Sequence, residues 1–424
     1  VSEKENAVKA EEAVTSQGDK DKENFKKNVL VTLIAAVVVI MVYSIIHFAL
    51  LTHDTTKEQI RVGFVYDSDD VTPYTANFIK AQKSIERHLG DKVLISIKAN
   101  IRDVSRCDGA ISDLVAEGCD IIFTTSYGYG EAAKKYAALH PDIQFCEATC
   151  DNANQDPVLD NYHTFMGEIY QGRYISGAVA GLKLNEMIEK GEITPEGARL
   201  GYVAAFPSTE VISGYTAFFL GVRSVCPSAV MDVKYTNTWG NYAIEKKVAK
   251  EFIDDGCVII SQHSDTTGPA VACEEAFAYK NVYHVGYNQS MIDVAPTSSL
   301  ISSRINWEPY MTGACEAVLK DKEIEDHVKG HVHGRDIGAG FDYGWLEMMN
   351  LNKIIAADGS EELIDKLISE FKEGGNDVFK GPYTGTDPND PSKTIDISGG
   401  YIENENSSAP TFGYVLNDVI RIKE

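Results

Sequence analysis

Residues 201–220 read GYVAAFPSTEVISGYTAFFL, and residues 63–78 read GFVYDSDDVTPYTANF. Each begins on a glycine in a short apolar run, passes through a polar loop and enters a stretch with helical spacing of apolar residues. That is the pattern of strand, loop and helix. An offset of 138 residues relates Gly63 to Gly201, and the same offset relates Gly118-Cys119-Asp120-Ile121-Ile122 to Gly256-Cys257-Val258-Ile259-Ile260. Equal spacing at two places within a matching strand order is the mark of an internal repeat.

Outward from these anchors, β-rich runs alternate with amphipathic stretches. Strands are expected at Val62 to Tyr66, Val93 to Lys98, Asp120 to Thr124 and Ile143 to Glu147, then at Leu200 to Ala204, Val230 to Tyr235, Val258 to Gln262 and Val282 to Tyr287. Strands separated by helical segments form parallel sheets with crossover helices, so the expected fold is α/β, two Rossmann-like lobes. Ligands of such sheets bind beyond the carboxyl ends of the strands, where loops and helix N-termini converge. One side of the cleft is then Asp67 to Tyr74, Thr125 to Tyr129 and Ala148 to Asp151; the other is Phe206 to Glu210, Gln262 to Thr266 and Tyr287 to Ser290. The repeat sets Thr125 and Ser126 opposite His263 and Ser264. Tyr74, Tyr127, Phe206, Trp239 and Trp307 fall near strand ends or helix starts, where flat rings can stack on a flat ligand while Asp, Asn, Gln and Ser address its edges.

The 424 residues suffice for two ordinary domains, and the net charge of −24 argues against nucleic acid as a partner, since phosphate backbones are bound through basic patches. The eight cysteines include no Cys-x-x-Cys pair, so no zinc site is expected; only Cys146 and Cys150 are close enough in sequence to suggest a local disulfide. From Asn28 runs NVLVTLIAAVVVIMVYSIIHFALLT, an uncharged stretch long enough to cross a bilayer as a helix and longer than the apolar segment of an ordinary signal peptide. Lys20, Lys22, Lys26 and Lys27 crowd its N-terminal side, which places that side in the cytoplasm and the body outside it. The polar residues before it have the composition of a disordered tail.

No Gly-x-Ser-x-Gly elbow, phosphate loop or His-Glu-x-x-His occurs, so no enzyme is expected; Gln262-His263-Ser264-Asp265 is adjacency in sequence, which does not make a triad. The acidic stretch Asp387 to Asp390 lacks the ordered spacing of a calcium loop.

GFVYDSDDVTPYTANF, DIIFTTSYGYGEAAKKYAALHPDIQF, GEIYQGRYISGAVAGLKL, LGYVAAFPSTEVISGYTAFFLGVRSVCP, SQHSDTTGP, VGYNQSM and RINWEPY together resemble the basic membrane protein family, substrate-binding proteins of ABC importers with the type I periplasmic-binding-protein fold. The resemblance covers Arg61 to Pro382. It implies a purine base or purine nucleoside as ligand, ABC permease subunits as partners, no cofactor or metal, and a monomer. It places the stacking aromatic on Tyr74 and a second ring on Phe206, with Thr125, Ser126 and Tyr127 lining one lobe and Gln262 and Asp265 the other. Asp67 and Trp307 complete the expected set with Asn288, which stands where nucleoside binders of this family carry a ribose-clamping carboxylate. That departure, and Arg304-Ile305-Asn306-Trp307 in the region of a frequent lysine, favours a bare base. The apolar run contains no cysteine for lipid attachment.

The expected organisation is a tail at 1–27, an anchor at 28–52, a first lobe of 59–165 with 302–322, a second of 166–301 with 323–382, and an extension at 383–424. About three segments should cross between lobes. Delivery of ligand to a permease is the leading expectation, and a membrane-tethered sensor using the same fold is the alternative.

Overall fold

Two glycines with positive φ, Gly118 at +77° and Gly256 at +95°, end corresponding helices in the computed structural model, which describes residues 22–44, 56–69, 72–102, 104–375 and 377–424. The chain divides into residues 1–56 and a body, residues 57–424.

In the first unit, helix α1 (Lys22–Ser44) is long and apolar enough to cross a membrane, a criterion that a signal sequence also meets. Its start corrects one expectation: residues 22–27 are helical rather than part of the tail. The rest of the tail, and residues 45–52 of the expected span, lie outside the described residues.

The body begins with β1 (Ile60–Val65), α2 (Pro73–Leu89), β2 (Val93–Lys98), α3 (Cys107–Ala116), β3 (Ile121–Thr124), α4 (Gly130–Leu139), β4 (Gln144–Ala148) and β5 (Tyr162–Gly167). After α5 (Tyr170–Glu189) the series recurs as β6 (Arg199–Ala204), α6 (Thr209–Val225), β7 (Val230–Tyr235), α7 (Tyr242–Asp254), β8 (Ile259–His263), α8 (Gly268–Phe277), β9 (Tyr283–Tyr287) and β10 (Ser299–Ile305). Strand order is β2-β1-β3-β4-β5 in one sheet and β7-β6-β8-β9-β10 in the other, all parallel. The repeat holds down to single bonds: Cys119 N donates to the Leu114 carbonyl and Cys257 N to the Phe252 carbonyl. Gly63 and Gly201 have the same cause, because a Cβ on either would press on the helix covering its sheet, 3.0 Å from Leu114 or 2.6 Å from Phe252.

Beyond the repeat come α9 (Glu308–Leu319), α10 (Ile324–His327), β11 (His331–His333), β12 (Asp336–Ala339), β13 (Leu346–Met349) and α11 (Ser360–Lys372). Here the strand assignments differ from the expected lobes. β12 pairs with β5 and β11 with β12, so residues 331–339 extend the first sheet instead of belonging to the second lobe. Conversely, Ser302 to Ile305 lie on β10 in the second sheet, and only α9 returns to pack on α2. The return is longer than expected because the segments HVH and DIGA are too short to show a period. β13 then borders β10 antiparallel.

The extension folds as β14 (Thr384–Thr386), β15 (Thr394–Asp396) and β16 (Val415–Leu416), a small sheet of its own, and ends in β17 (Ile420–Lys423), which pairs parallel with β7. Buried Asp232 on β7 holds that strand through Arg421 at 2.6 Å and is also paired with Arg199 at 2.7 Å. All eight cysteines are buried and free, which corrects the suggested Cys146–Cys150 bridge. Cys146 lies within β4 and Cys150 just beyond its end. The two thiols have different neighbours: Cys146 lies beside Tyr310 and Cys315, whereas the Cys150 sulfur packs against Gly130.

Candidate functional site

The loops leaving the carboxyl ends of β1 and β3 in one lobe, and of β6, β8 and β9 in the other, carry the expected site. Tyr74 occupies the first turn of α2, next to Pro73, whose fixed φ suits a helix start. Its hydroxyl donates to the Thr125 carbonyl at 2.7 Å and its ring packs edge-on against Phe78 at 5.2 Å, so the half-buried ring is held in place. Asp67, just past β1, accepts a bond from the Thr75 hydroxyl at 3.3 Å. Desolvation raises the Asp67 carboxyl above its ordinary range, against the pull of that hydroxyl and of Arg102.

In the second lobe an aromatic row runs from Phe206 to Trp239 (5.6 Å between centroids), on to His263 (6.3 Å) and then to Tyr287 (5.1 Å). The Arg173 guanidinium lies 3.6 Å above the Tyr287 ring and donates to the Gln262 carbonyl at 2.8 Å. Burial, and then the Arg173 charge, lowers the His263 pKa to about 4, so the ring is neutral at physiological pH. Glu210, 3.5 Å from its Nε2, pulls in the opposite direction. Asp265 follows β8, its N–H donating to the Trp239 carbonyl at 2.7 Å. Desolvation raises the Asp265 carboxyl well above the ordinary range, and the charges of Glu245, Asp67 and Glu210 add to it. Glu210, Asp67 and Asp265 also raise the Tyr74 phenol, after burial. Carboxylates of both lobes thus act on one region.

Asn288 links the lobes. Its backbone is left-handed, φ +66°, anchored by its N–H on the Ser303 carbonyl at 2.9 Å, and its own carbonyl accepts from the Asn77 amide at 2.7 Å. Asn77 lies on α2 and accepts in turn from Arg304 at 3.0 Å, which is paired with Glu347 through its Nε at 2.8 Å.

The other expected residues divide. Ser126 is half-buried at the tip of β3. The Thr125 hydroxyl donates to the Val65 carbonyl at 3.0 Å, tying the tips of β1 and β3 together. Gln262 is occupied on both sides: its amide donates to the carbonyls of Ser264 and Thr266, both at 2.8 Å, and its oxygen faces His284 Nε2 at 3.0 Å. Both residues shape the loops with groups already bonded to protein. Tyr127 is 63% exposed, outside the buried region. Trp307 is 2% exposed and stacks on Phe78 at 4.4 Å with Phe165 at its edge, a core residue beneath α2. Position near a helix start does not separate a ring that faces the cleft from one that faces the core.

Arg173, Asn77 and Glu210 were not singled out as site residues from the sequence. For Arg173 a signal existed, a lone cation in the small and apolar run YQGRYISGAVAG, where burial demands a partner. Among the described residues, no group of three or more His, Cys, Asp or Glu side chains could hold a metal ion. The region thus offers aromatic rings for stacking and carboxyl groups for hydrogen bonding.

Residues 60–376 match the family described as ABC transporter substrate-binding protein PnrA-like. A purine-binding protein of Brucella abortus is 28% identical over 331 residues, covering 77% of this chain and 85% of that one. A Haloferax volcanii protein, named as a putative ABC transporter glucose-binding protein, is 31% identical over 199 residues, 47% of this chain and 46% of its own. A solute-binding protein of an ABC transporter system from Aeropyrum pernix superposes with a TM-score of 0.60 at 14% identity, covering 75% of this chain and 92% of that one. Its counterpart from Conexibacter woesei gives 0.56 at 15% identity, over 74% and 97%.

Proposed function

The chain belongs to the PnrA-like family of ABC transporter substrate-binding proteins, and from that premise we propose that it closes its two lobes on a purine base and delivers it to an ABC permease. It is a binding protein and not an enzyme; the ligand leaves unaltered. The observation that carries the purine is that the Tyr74 phenol, at the start of α2, feels the carboxylates Asp67 of its own lobe and Glu210 and Asp265 of the other, whose loops also carry the Phe206–Trp239 ring pair. Two aromatic faces cover a planar ring, and two carboxylates accept from ring and exocyclic N–H groups. Support also comes from the Brucella abortus relative, named for purine binding.

A base is favoured over its nucleoside because Asn288 offers no carboxylate for ribose hydroxyls and its carbonyl is engaged by Asn77. Closure is the bound form, since ligand contacts from both lobes exist together only there. Helix α1 serves as a membrane tether that keeps the body outside the cytoplasm beside its permease. The retained helix also motivates a sensor reading, in which closure is signalled through the tether.

The test is a thermal-shift screen of the detergent-solubilised full-length protein with adenine, guanine, their nucleosides and glucose, since a ligand that binds only the folded state raises its Tm. A purine base should give the largest shift, and Tyr74→Ala or Phe206→Ala should reduce it. A shift with glucose and none with any purine would overturn the ligand assignment. Loss of purine uptake on deletion would support import, whereas a ligand-dependent signal with uptake intact would support sensing.

A further inference from the structure

The match to the family ends at residue 376, yet the chain beyond it is built into both lobes. Glu403, 2% exposed, accepts from the Ser213 hydroxyl of α6 in the second lobe at 2.6 Å. The same carboxylate accepts from the Thr411 hydroxyl and N–H at 2.7 and 3.0 Å and from the Phe412 N–H at 2.9 Å. Five residues on, the N–H and hydroxyl of Ser408 donate to Asp336 at 2.5 and 2.6 Å. Asp336 is 3% exposed, lies on β12 of the first sheet and is bound there by Thr164 of β5 at 2.8 Å. Between the anchors, the Asn404 amide donates to the carbonyls of Ser407, Ser408 and Ala409 at 3.0, 2.7 and 3.0 Å, which fixes the loop as a rigid unit.

We propose that residues 403–412 are a strap that fastens the two lobes to each other beside the hinge and limits how far the cleft opens. Its place fits that role. Phe412 stacks on Phe379 at 4.5 Å, and Phe379 touches Tyr170 at 5.8 Å, in the first turn of α5 where the chain has just crossed between lobes. Asp336 precedes the later crossing, which leaves β12 at Ala339. Wide opening would separate an anchor in one sheet from an anchor in the other. It would strip a buried carboxylate of its hydrogen bonds, a loss that disfavours the open form. The strap therefore holds the ligand-free protein nearer the closed shape, reducing what the ligand must do to close it.

The strap rests on the two-lobe closure proposed above, but its test needs no ligand and is blind to which ligand is bound. Spin labels at Lys83→Cys on α2 and Lys247→Cys on α7, both exposed positions, report the distance between lobes in the ligand-free full-length protein in detergent; the native thiols are buried. Ser213→Ala with Ser408→Ala should leave the fold intact and produce a several-fold larger long-distance population. Glu403→Gln, which keeps the side-chain volume, reads the same property should the double variant fail to fold. Distance distributions that overlay those of the parent protein in whichever variant folds would overturn the strap.

Discussion

At the scale of single residues, protonation separates the cleft carboxylates from those on the surface. Burial, then Glu245, Asp67 and Glu210, holds the Asp265 carboxyl well above its ordinary range, with Arg173 opposing. A ligand N–H that donates to Asp265 stabilises its ionised form and lowers its pKa in the complex. Binding below the raised pKa therefore releases a proton, and affinity should strengthen as pH rises through that pKa and level off above it. Calorimetric titrations with adenine in buffers of different ionisation enthalpy would detect the proton, and Asp265→Asn should remove both the release and the slope. Proton uptake in place of release would show that Asp265 binds as an acid. The positions of Asp265, just past β8, and of Tyr74, at the start of α2, were legible because both follow from the strand pattern. Trp307 and Gln262 fitted that pattern equally well, and only their partners, Phe78 for one and the loop carbonyls for the other, assign them to the scaffold.

At the scale of elements, the base of the second lobe depends on how closely α5 and α6 approach. A Cβ on Gly177 would lie 1.9 Å from the Phe218 carbonyl oxygen, and one on Gly221 would lie 2.0 Å from that of Tyr174. Both would meet backbone, which cannot rotate aside, so alanine at either position must push the helices apart. Gly177→Ala should destabilise at the upper end of, or beyond, the about 1–3 kcal/mol of ordinary overpacking, measured by denaturant unfolding. Gly109→Ala is the contrast: nothing lies within 4 Å of its Cβ on α3, and relief of glycine's entropy there should stabilise by about 0.5–1 kcal/mol. Equal effects at the two positions would refute the packing account. Four strands in each half of the repeat were legible because they recur with nearly one spacing and matching glycines, whereas β5 and β10, which close the two series, were not read from the sequence. β11 to β13 were not, since strands of three or four residues carry no period and their pairing is decided by the sheet edges left free once the repeat has folded.

At the scale of the whole molecule, two crossings between the lobes are joined by one histidine. Glu168 lies just after β5 in the first crossing, and Asp342 lies in the later one between β12 and β13. His331 faces both, with Nδ1 at 2.5 Å from Glu168 and Nε2 at 2.9 Å from Asp342. Bonds to Asp342 and then Glu168 raise its pKa from 6.5 to about 10, so the imidazolium persists at neutral pH. The histidine binds its proton more tightly folded than unfolded. Its contribution to stability is therefore complete below about pH 6.5 and is lost progressively as pH rises toward 10. Beside it, Gln171 connects the same crossings, donating to Glu168 at 2.8 Å and accepting from the Phe341 N–H at 3.1 Å. Loss of the proton would then leave two carboxylates facing each other across the hinge with one neutral bridge. Unfolding midpoints measured from pH 6 to 10 should fall in the parent protein, and His331→Gln should start lower and vary less over that range. A variant whose stability declines with the parent's slope would place the titrating group elsewhere and reduce His331 to a surface contact.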